Sequence, residues 1–122
     1  DFFKKVNDNY GHKAGDKVLK TVAGLINKRI RSTDFLARFG GEEFVMLLPG
    51  TKQEEALYFL NKLRLQVGQC GFRYQEEVVN VTVSCGISDF RENDSVESVF
   101  ERADQALYKA KENGRNQCVV AE

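Results

Sequence analysis

Gly40-Gly41-Glu42-Glu43-Phe44 sets two carboxylates side by side, directly after two glycines. Adjacent acids repel one another, and a tight turn needs neither of them. A divalent cation removes the repulsion and takes the acids as hard oxygen ligands. A solvated acidic turn accounts for the same residues without a ligand. Asn7 and Asp16 offer an amide and a carboxylate in one short stretch. A carboxylate accepts from the ring N–H and amino donors of guanine, and an amide both donates and accepts, so the pair can read a guanine edge. The structural alternative makes Asn7 a helix-end residue and Asp16 a helix N-cap. Lys111 and Arg115 can hold phosphate oxygens. With Lys109 they equally suit the negative end of a helix. Arg31-Ser32-Thr33-Asp34 reads on its face as a polar turn. Its guanidinium can pair with a phosphate or with the Hoogsteen edge of guanine, and Asp34 can accept from the guanine donors. The alternative is a local surface ion pair worth at most ~1 kcal/mol. His12 is the only histidine, which argues against histidine-rich metal chemistry.

These residues need elements to carry them. Phe2–Tyr10 reads as a helix, with Phe2, Phe3 and Val6 on one side and Gly11 and Gly15 as punctuation. A second helix follows a cap at Asp16. Val18, Leu19, Val22, Leu25, Ile26 and Ile30 give it a buried stripe. Phe35–Phe39 and Glu43–Leu48 read as strands joined through Gly40-Gly41, where glycine supplies the positive φ of a tight hairpin. Thr51 and Glu54 form a capping-box pattern before a third helix, whose apolar face is Ala56, Leu57, Leu60, Leu63 and Val67. Val79, Val81, Val83, Cys85 and Ile87 alternate with polar or small residues as one period-two strand, with Phe72–Tyr74 as its hairpin partner. Ser95 caps a last helix over Val96–Asn113, and Gly114 stops it. Gln117–Val120 closes the chain as a short strand. Interleaved helices and strands around a mainly antiparallel sheet make the class α+β or α/β.

The composition fits one such domain. The chain has 122 residues, 42% hydrophobic and 30% charged, with 18 basic and 18 acidic side chains. A polyanion-coating protein is normally basic, so a nucleic-acid polymer loses ground as a partner. No apolar run approaches the ~20 residues that cross a bilayer, and no signal-peptide pattern stands at the start. Cys70, Cys85 and Cys118 are isolated in sequence and lack zinc-site spacing. They read as reduced, partly buried small hydrophobes in a cytoplasmic domain.

Three segments stand in order: Phe2-Phe3-Lys4-Lys5-Val6-Asn7-Asp8-x-Tyr10-Gly11-His12-x-x-Gly15-Asp16, Arg38-Phe39-Gly40-Gly41-Glu42-Glu43-Phe44, and Ala103-Asp104-x-Ala106-Leu107-Tyr108-x-Ala110-Lys111-x-x-Gly114-Arg115-Asn116. Together they closely resemble the GGDEF domain family, the diguanylate cyclases, over residues 1–122. The resemblance implies a nucleotide-cyclase palm-like α+β fold, with helices on a central antiparallel sheet. It implies that two GTP molecules, one on each of two facing domains of a homodimer, are joined into cyclic di-GMP with loss of two pyrophosphates. Glu42 and Glu43 match the family's Mg²⁺ or Mn²⁺ ligands and catalytic acids. Asn7 and Asp16 match its guanine readers, and the backbone of Phe2, Phe3 and Lys4 its phosphate cradle. Lys111 and Arg115 match its phosphate-binding cations. Arg31 and Asp34 match its inhibitory product site, with Lys62 as a candidate second patch.

One departure bears on activity. The family's first strand ends in Asp-x-Asp, and Asp1 corresponds to the later acid of that pair. The first strand and the earlier, metal-binding acid would then precede the chain. The expectation is an N-terminally truncated domain, weak or inactive as it stands, from a longer cyclase. The other reading is a non-catalytic regulatory module that binds GTP or cyclic di-GMP. No membrane contact is expected of the domain itself, though a parent protein could be anchored.

Overall fold

The computed structural model describes residues 1 and 3–122, and the backbone alone of Lys4. The cradle expectation at Phe2 therefore lies outside the described residues, as does the Lys4 side chain. The described residues fall into two compact units, one of Asp1, Thr51–Gln66 and Thr82–Glu122, the other of Phe2–Gly50 and Val67–Val81.

The second unit opens with α1 (Phe3–Tyr10) and α2 (His12–Arg29). Gly11, at φ 87°, is the N-cap of α2, so a single glycine separates the two helices. Asp16 therefore lies inside α2, exposed, and does not cap it. Gly15, read as punctuation, is buried in the same helix. A Cβ there would fall on Asn7 Oδ1 and lie 2.9 Å from Phe3 Cε2. Only glycine lets α1 approach α2 this closely. Val18, Leu19, Val22 and Ile26 are buried, as the apolar stripe predicts.

β1 (Phe35–Gly40) and β2 (Glu43–Leu47) form an antiparallel hairpin, with Phe35 opposite Leu47 and Gly40 opposite Glu43. The register shifts between Arg38 and Gly40, leaving Phe39 as a bulge. The turn is thus Gly41-Glu42, and of the two glycines only Gly41 (φ 40°) takes the left-handed conformation. β3 (Phe72–Tyr74) and β4 (Glu77–Val79) make a second hairpin. Its turn residues Gln75 and Glu76 both have positive φ, the pattern of a two-residue turn matched to strand twist.

The other unit carries α3 (Gln53–Gly68) up to Gln66, then β5 (Cys85–Ile87), α4 (Val96–Glu112) and β6 (Cys118–Val120). α3 starts at Gln53, one residue later than a Thr51 cap would set. Ser95 does cap α4: it accepts from the Ser98 N–H at 3.1 Å, while Ser98 Oγ accepts from the Ser95 N–H at 2.9 Å. Gly114, at φ 110°, follows the Asn113 C-cap, and the Arg115 N–H returns to the Ala110 carbonyl at 2.9 Å. That bond satisfies a carbonyl orphaned at the helix end. Ala56, Leu60, Leu63, Ile87, Val99, Ala106 and Ala110 are buried.

The alternating run Val79–Ile87 is not one strand: Val79 ends β4, Cys85–Ile87 form β5, and residues 80–84 lie between them. Alternation tells which face a residue takes, but a strand also needs a hydrogen-bonded neighbour. Along this stretch Asp1 meets the chain. Its backbone nitrogen donates to the Thr82 carbonyl at 2.9 Å, and its carboxylate accepts from Thr82 Oγ1 at 2.9 Å and Ser84 Oγ at 2.8 Å. β5 and β6 pair in parallel. The described residues thus carry two antiparallel hairpins and one parallel pair, and the class is α+β.

Candidate active site

The hairpin tip follows from its register. Glu42 completes the turn and Glu43 opens β2, so both carboxylates are exposed at one end of the ladder. Arg38 fixes the turn beneath them. Its Nε and Nη2 donate to the Gly41 carbonyl at 2.9 and 2.7 Å. Two donors on one carbonyl oxygen hold the loop from inside the strand. This clamp was not legible in the sequence, where Arg38 is only the residue preceding the signature.

Asn7 lies in α1, its carbonyl accepting from the Gly11 N–H at 2.8 Å. Its Oδ1 is buried and has no hydrogen-bond partner among the described residues. A buried acceptor without a donor is costly, on the order of 1–3 kcal/mol. A guanine N–H is the kind of donor that would relieve it. Asp16 lines a shallow surface groove of ≈ 460 Å³ with Lys13, Lys17, Lys20 and Thr21. Asn7, Asp16, Glu42 and Glu43 belong to the same compact unit. Phe3 and Lys4 contribute the first turn of α1 rather than a free loop.

Lys111 and Arg115 belong to the other unit, Lys111 in the last turn of α4 and Arg115 in a left-handed turn at φ 63°. Arg115 Nη1 reaches the Lys111 carbonyl only at 3.5 Å. Lys62 sits on α3 with its ammonium 4.5 Å above the Tyr58 ring.

Arg31 and Asp34 are joined to each other across the turn. Asp34 accepts from the Arg31 N–H at 2.9 Å and from its Nη2 at 3.2 Å, and the same Nη2 donates to the Pro49 carbonyl at 2.8 Å. The carboxylate is 5% exposed, whereas the guanidinium side chain is 56% exposed. The Arg31 N–H and then its guanidinium hold the Asp34 carboxyl below its ordinary range.

Among the described residues no group of three or more His, Cys, Asp or Glu side chains is placed to hold a metal ion. By themselves Glu42 and Glu43 would supply two carboxylates. Such a set suits Mg²⁺, which keeps several waters and binds through one or two carboxylates together with substrate phosphates. No helix among the described residues is long and apolar enough to cross a membrane.

Comparison with known proteins agrees with this architecture. The family described as "Diguanylate cyclase, GGDEF domain" matches residues 1–117. Diguanylate cyclase DgcP of Pseudomonas aeruginosa is 53% identical over 121 residues, covering 99% of this chain and 18% of that protein. Response regulator PleD of Caulobacter vibrioides is 41% identical over 122 residues, covering 98% of this chain and 27% of that protein. The chain thus spans less than a third of the length of these curated relatives. The crystal structure of the GGDEF domain of DgcB from Caulobacter crescentus in complex with c-di-GMP superposes with a TM-score of 0.95 at 36% identity, covering 98% of this chain and 72% of that one. The active GGEEF domain of a diguanylate cyclase from Vibrio cholerae gives a TM-score of 0.90 at 37% identity, covering 100% of this chain and 78% of that one. The chain belongs to the GGDEF domain family, with the nucleotide-cyclase palm-like α+β fold of its members.

Proposed function

We propose that this chain is the catalytic domain of a diguanylate cyclase, which condenses two GTP into cyclic di-GMP and two pyrophosphates. The observation that carries the reading is the pair Glu42 and Glu43 at a two-residue turn held by Arg38, in a family member whose relatives are named diguanylate cyclases. Attack of a ribose 3′-hydroxyl on an α-phosphate needs charge neutralisation and in-line positioning more than covalent help. Bound Mg²⁺ or Mn²⁺ would supply Lewis acidity and lower the hydroxyl pKa. Glu42 and Glu43 hold that cation, with Glu42 the nearer candidate for accepting the hydroxyl proton. Asn7 and Asp16 read the guanine. The first-turn backbone of α1 takes the β- and γ-phosphates, and Lys111 and Arg115, matched to the family's phosphate-binding cations, are assigned to phosphate binding on their own unit. One domain holds one GTP, so two copies must face each other, and turnover depends on protein concentration unless another domain holds the dimer. Arg31 and Asp34 bind the product away from the catalytic hairpin and slow the enzyme. The setting is the cytoplasm, where GTP is available.

The test is the parent protein with GTP and Mg²⁺ or Mn²⁺. Cyclic di-GMP and pyrophosphate are expected, and Glu43→Ala should abolish them while leaving the fold intact. A folded, dimeric parent that binds GTP and releases no product would overturn the cyclase reading and establish the regulatory one.

A further inference from the structure

Cys85 and Cys118 stand directly opposite each other in the β5–β6 ladder. The ladder is fixed at that level by the Cys85 N–H, which donates to the Gln117 carbonyl at 2.9 Å. Directly opposed residues point to the same face of a sheet, and neighbouring strands lie about 4.8 Å apart, within the ~4.4–6.8 Å Cα separation that a disulfide spans. Both thiols are free and partly buried. They were isolated in sequence, and parallel pairing brings them together.

Their surroundings differ. Arg64 is anchored on Asn116, two residues before Cys118. That guanidinium is pinned by Asn61 Oδ1 at 3.3 Å, by the Asn116 carbonyl at 3.2 Å and by Asn116 Oδ1 at 3.0 Å. The neighbouring Cys85 thiol and the Arg64 charge hold the Cys118 thiol below its ordinary range, against burial. Pairing with Cys118 and burial push the Cys85 thiol up. One sulfur thus favours the nucleophilic thiolate, and its neighbour keeps a proton.

We propose that Cys85 and Cys118 form a reversible dithiol–disulfide pair that exchanges with low-molecular-weight disulfides of the glutathione class. The Cys118 thiolate attacks one sulfur of the small disulfide, whose S–S bond breaks and releases one small thiolate. The Cys85 thiol then gives its proton to solvent base and attacks the Cys118 sulfur, releasing the second small thiolate. Two electrons pass from the protein to the small disulfide, and one Cys85–Cys118 bond forms. The pair does not depend on the cyclase reading.

The experiment exposes the wild-type protein to oxidised glutathione, quenches with acid, alkylates and maps cysteine peptides by mass spectrometry. Exposed Cys70 serves as the internal reference. A cross-linked Cys85–Cys118 peptide, two hydrogens lighter and restored by dithiothreitol, is expected, with Cys118 reacting severalfold faster than Cys70. Cys85→Ser should leave glutathione on Cys118 as a lasting adduct. A stable glutathione adduct on Cys118 in the wild type, or modification of Cys70 alone, would overturn the proposal without touching the cyclase reading.

Discussion

Arg38 donates through both Nε and Nη2 to the carbonyl of Gly41, three residues on, and so ties β1 to the turn that carries Glu42. The contact lies on the surface, where a single substitution usually changes stability by no more than about 0.5 kcal/mol. Its value is in positioning. Arg38→Ala should leave the urea midpoint nearly unchanged and lower cyclic di-GMP formation by the parent protein roughly tenfold or more, since small misplacements of reacting groups are expensive. Unchanged turnover would mean that the turn keeps its shape without the clamp.

Gly15→Ala pits two effects against each other. Alanine in place of a helical glycine favours folding by up to ~1 kcal/mol. Here the added methyl falls on Asn7 Oδ1 and crowds Phe3. Overpacking of that kind costs about 1–3 kcal/mol, so the clash should win. A lower urea midpoint with an unchanged m-value is expected. GTP affinity should fall further than stability does, because the displaced group is the proposed guanine reader.

The parts legible in sequence are those with local causes. The α2 stripe, the Ser95 cap, the Gly114 stop and the β1–β2 hairpin each follow from spacing that a few neighbouring residues enforce. The start of α2 is hidden in the sequence because Asp16 is a good cap in isolation, whereas Gly11 allows the helix to restart sooner. The break in the Val79–Ile87 run is hidden because alternation carries no record of hydrogen-bonded neighbours. Glu42, Glu43, Asn7 and Asp16 are proposed as site residues through motif spacing. The Arg38 clamp and the Cys85–Cys118 pairing come from side-chain reach and strand register, which composition and period do not encode.

Ser95 and Ser98 exchange side-chain and backbone bonds at the start of α4. Ser95→Ala removes the acceptor for an otherwise unpaired N–H at that end. Loss of such a cap costs typically ~1 kcal/mol, within about 0.5–2. Chemical denaturation should register that loss, and Ser95→Asp should restore most of it, since aspartate caps as well and suits the helix dipole. Equal stability of both variants and the wild type would show that the cap contributes nothing.

Asp94 gives a pH signature. Its carboxylate is held well below the usual range, first by Arg102 at 2.6 and 2.7 Å, then by the Arg91 N–H at 2.8 Å and Ser98 Oγ at 2.8 Å. The folded state therefore binds its proton more weakly than the unfolded state does. Its contribution to stability is fully present above the ordinary aspartate value near 3.9 and fades as pH falls through the lower folded value. Asp94→Asn should be less stable than wild type at pH 7, and the gap should narrow as pH drops below about 4. A constant gap across the acid range would remove Asp94 as the source.

Arg31 and Asp34 separate a ligand site from a plain ion pair. Asp34 is nearly enclosed and accepts from the backbone and side chain of Arg31, while the Arg31 side chain stays more than half exposed. The carboxylate thus props up a guanidinium that faces solvent. If the pair were only structural, a contact of this kind would be worth at most ~1 kcal/mol, and Arg31→Ala would alter folding alone. As a product site, the guanidinium meets the phosphate or guanine of cyclic di-GMP directly, and Asp34 orients it. Arg31→Ala should then weaken cyclic di-GMP binding by roughly tenfold or more in calorimetry, since charge-assisted bonds are worth about 1.5–3 kcal/mol. Asp34→Ala should weaken it too, through loss of the prop, and product inhibition should fall in both variants while turnover at low product is kept. Unchanged affinity and inhibition in Arg31→Ala would return the pair to a local structural role.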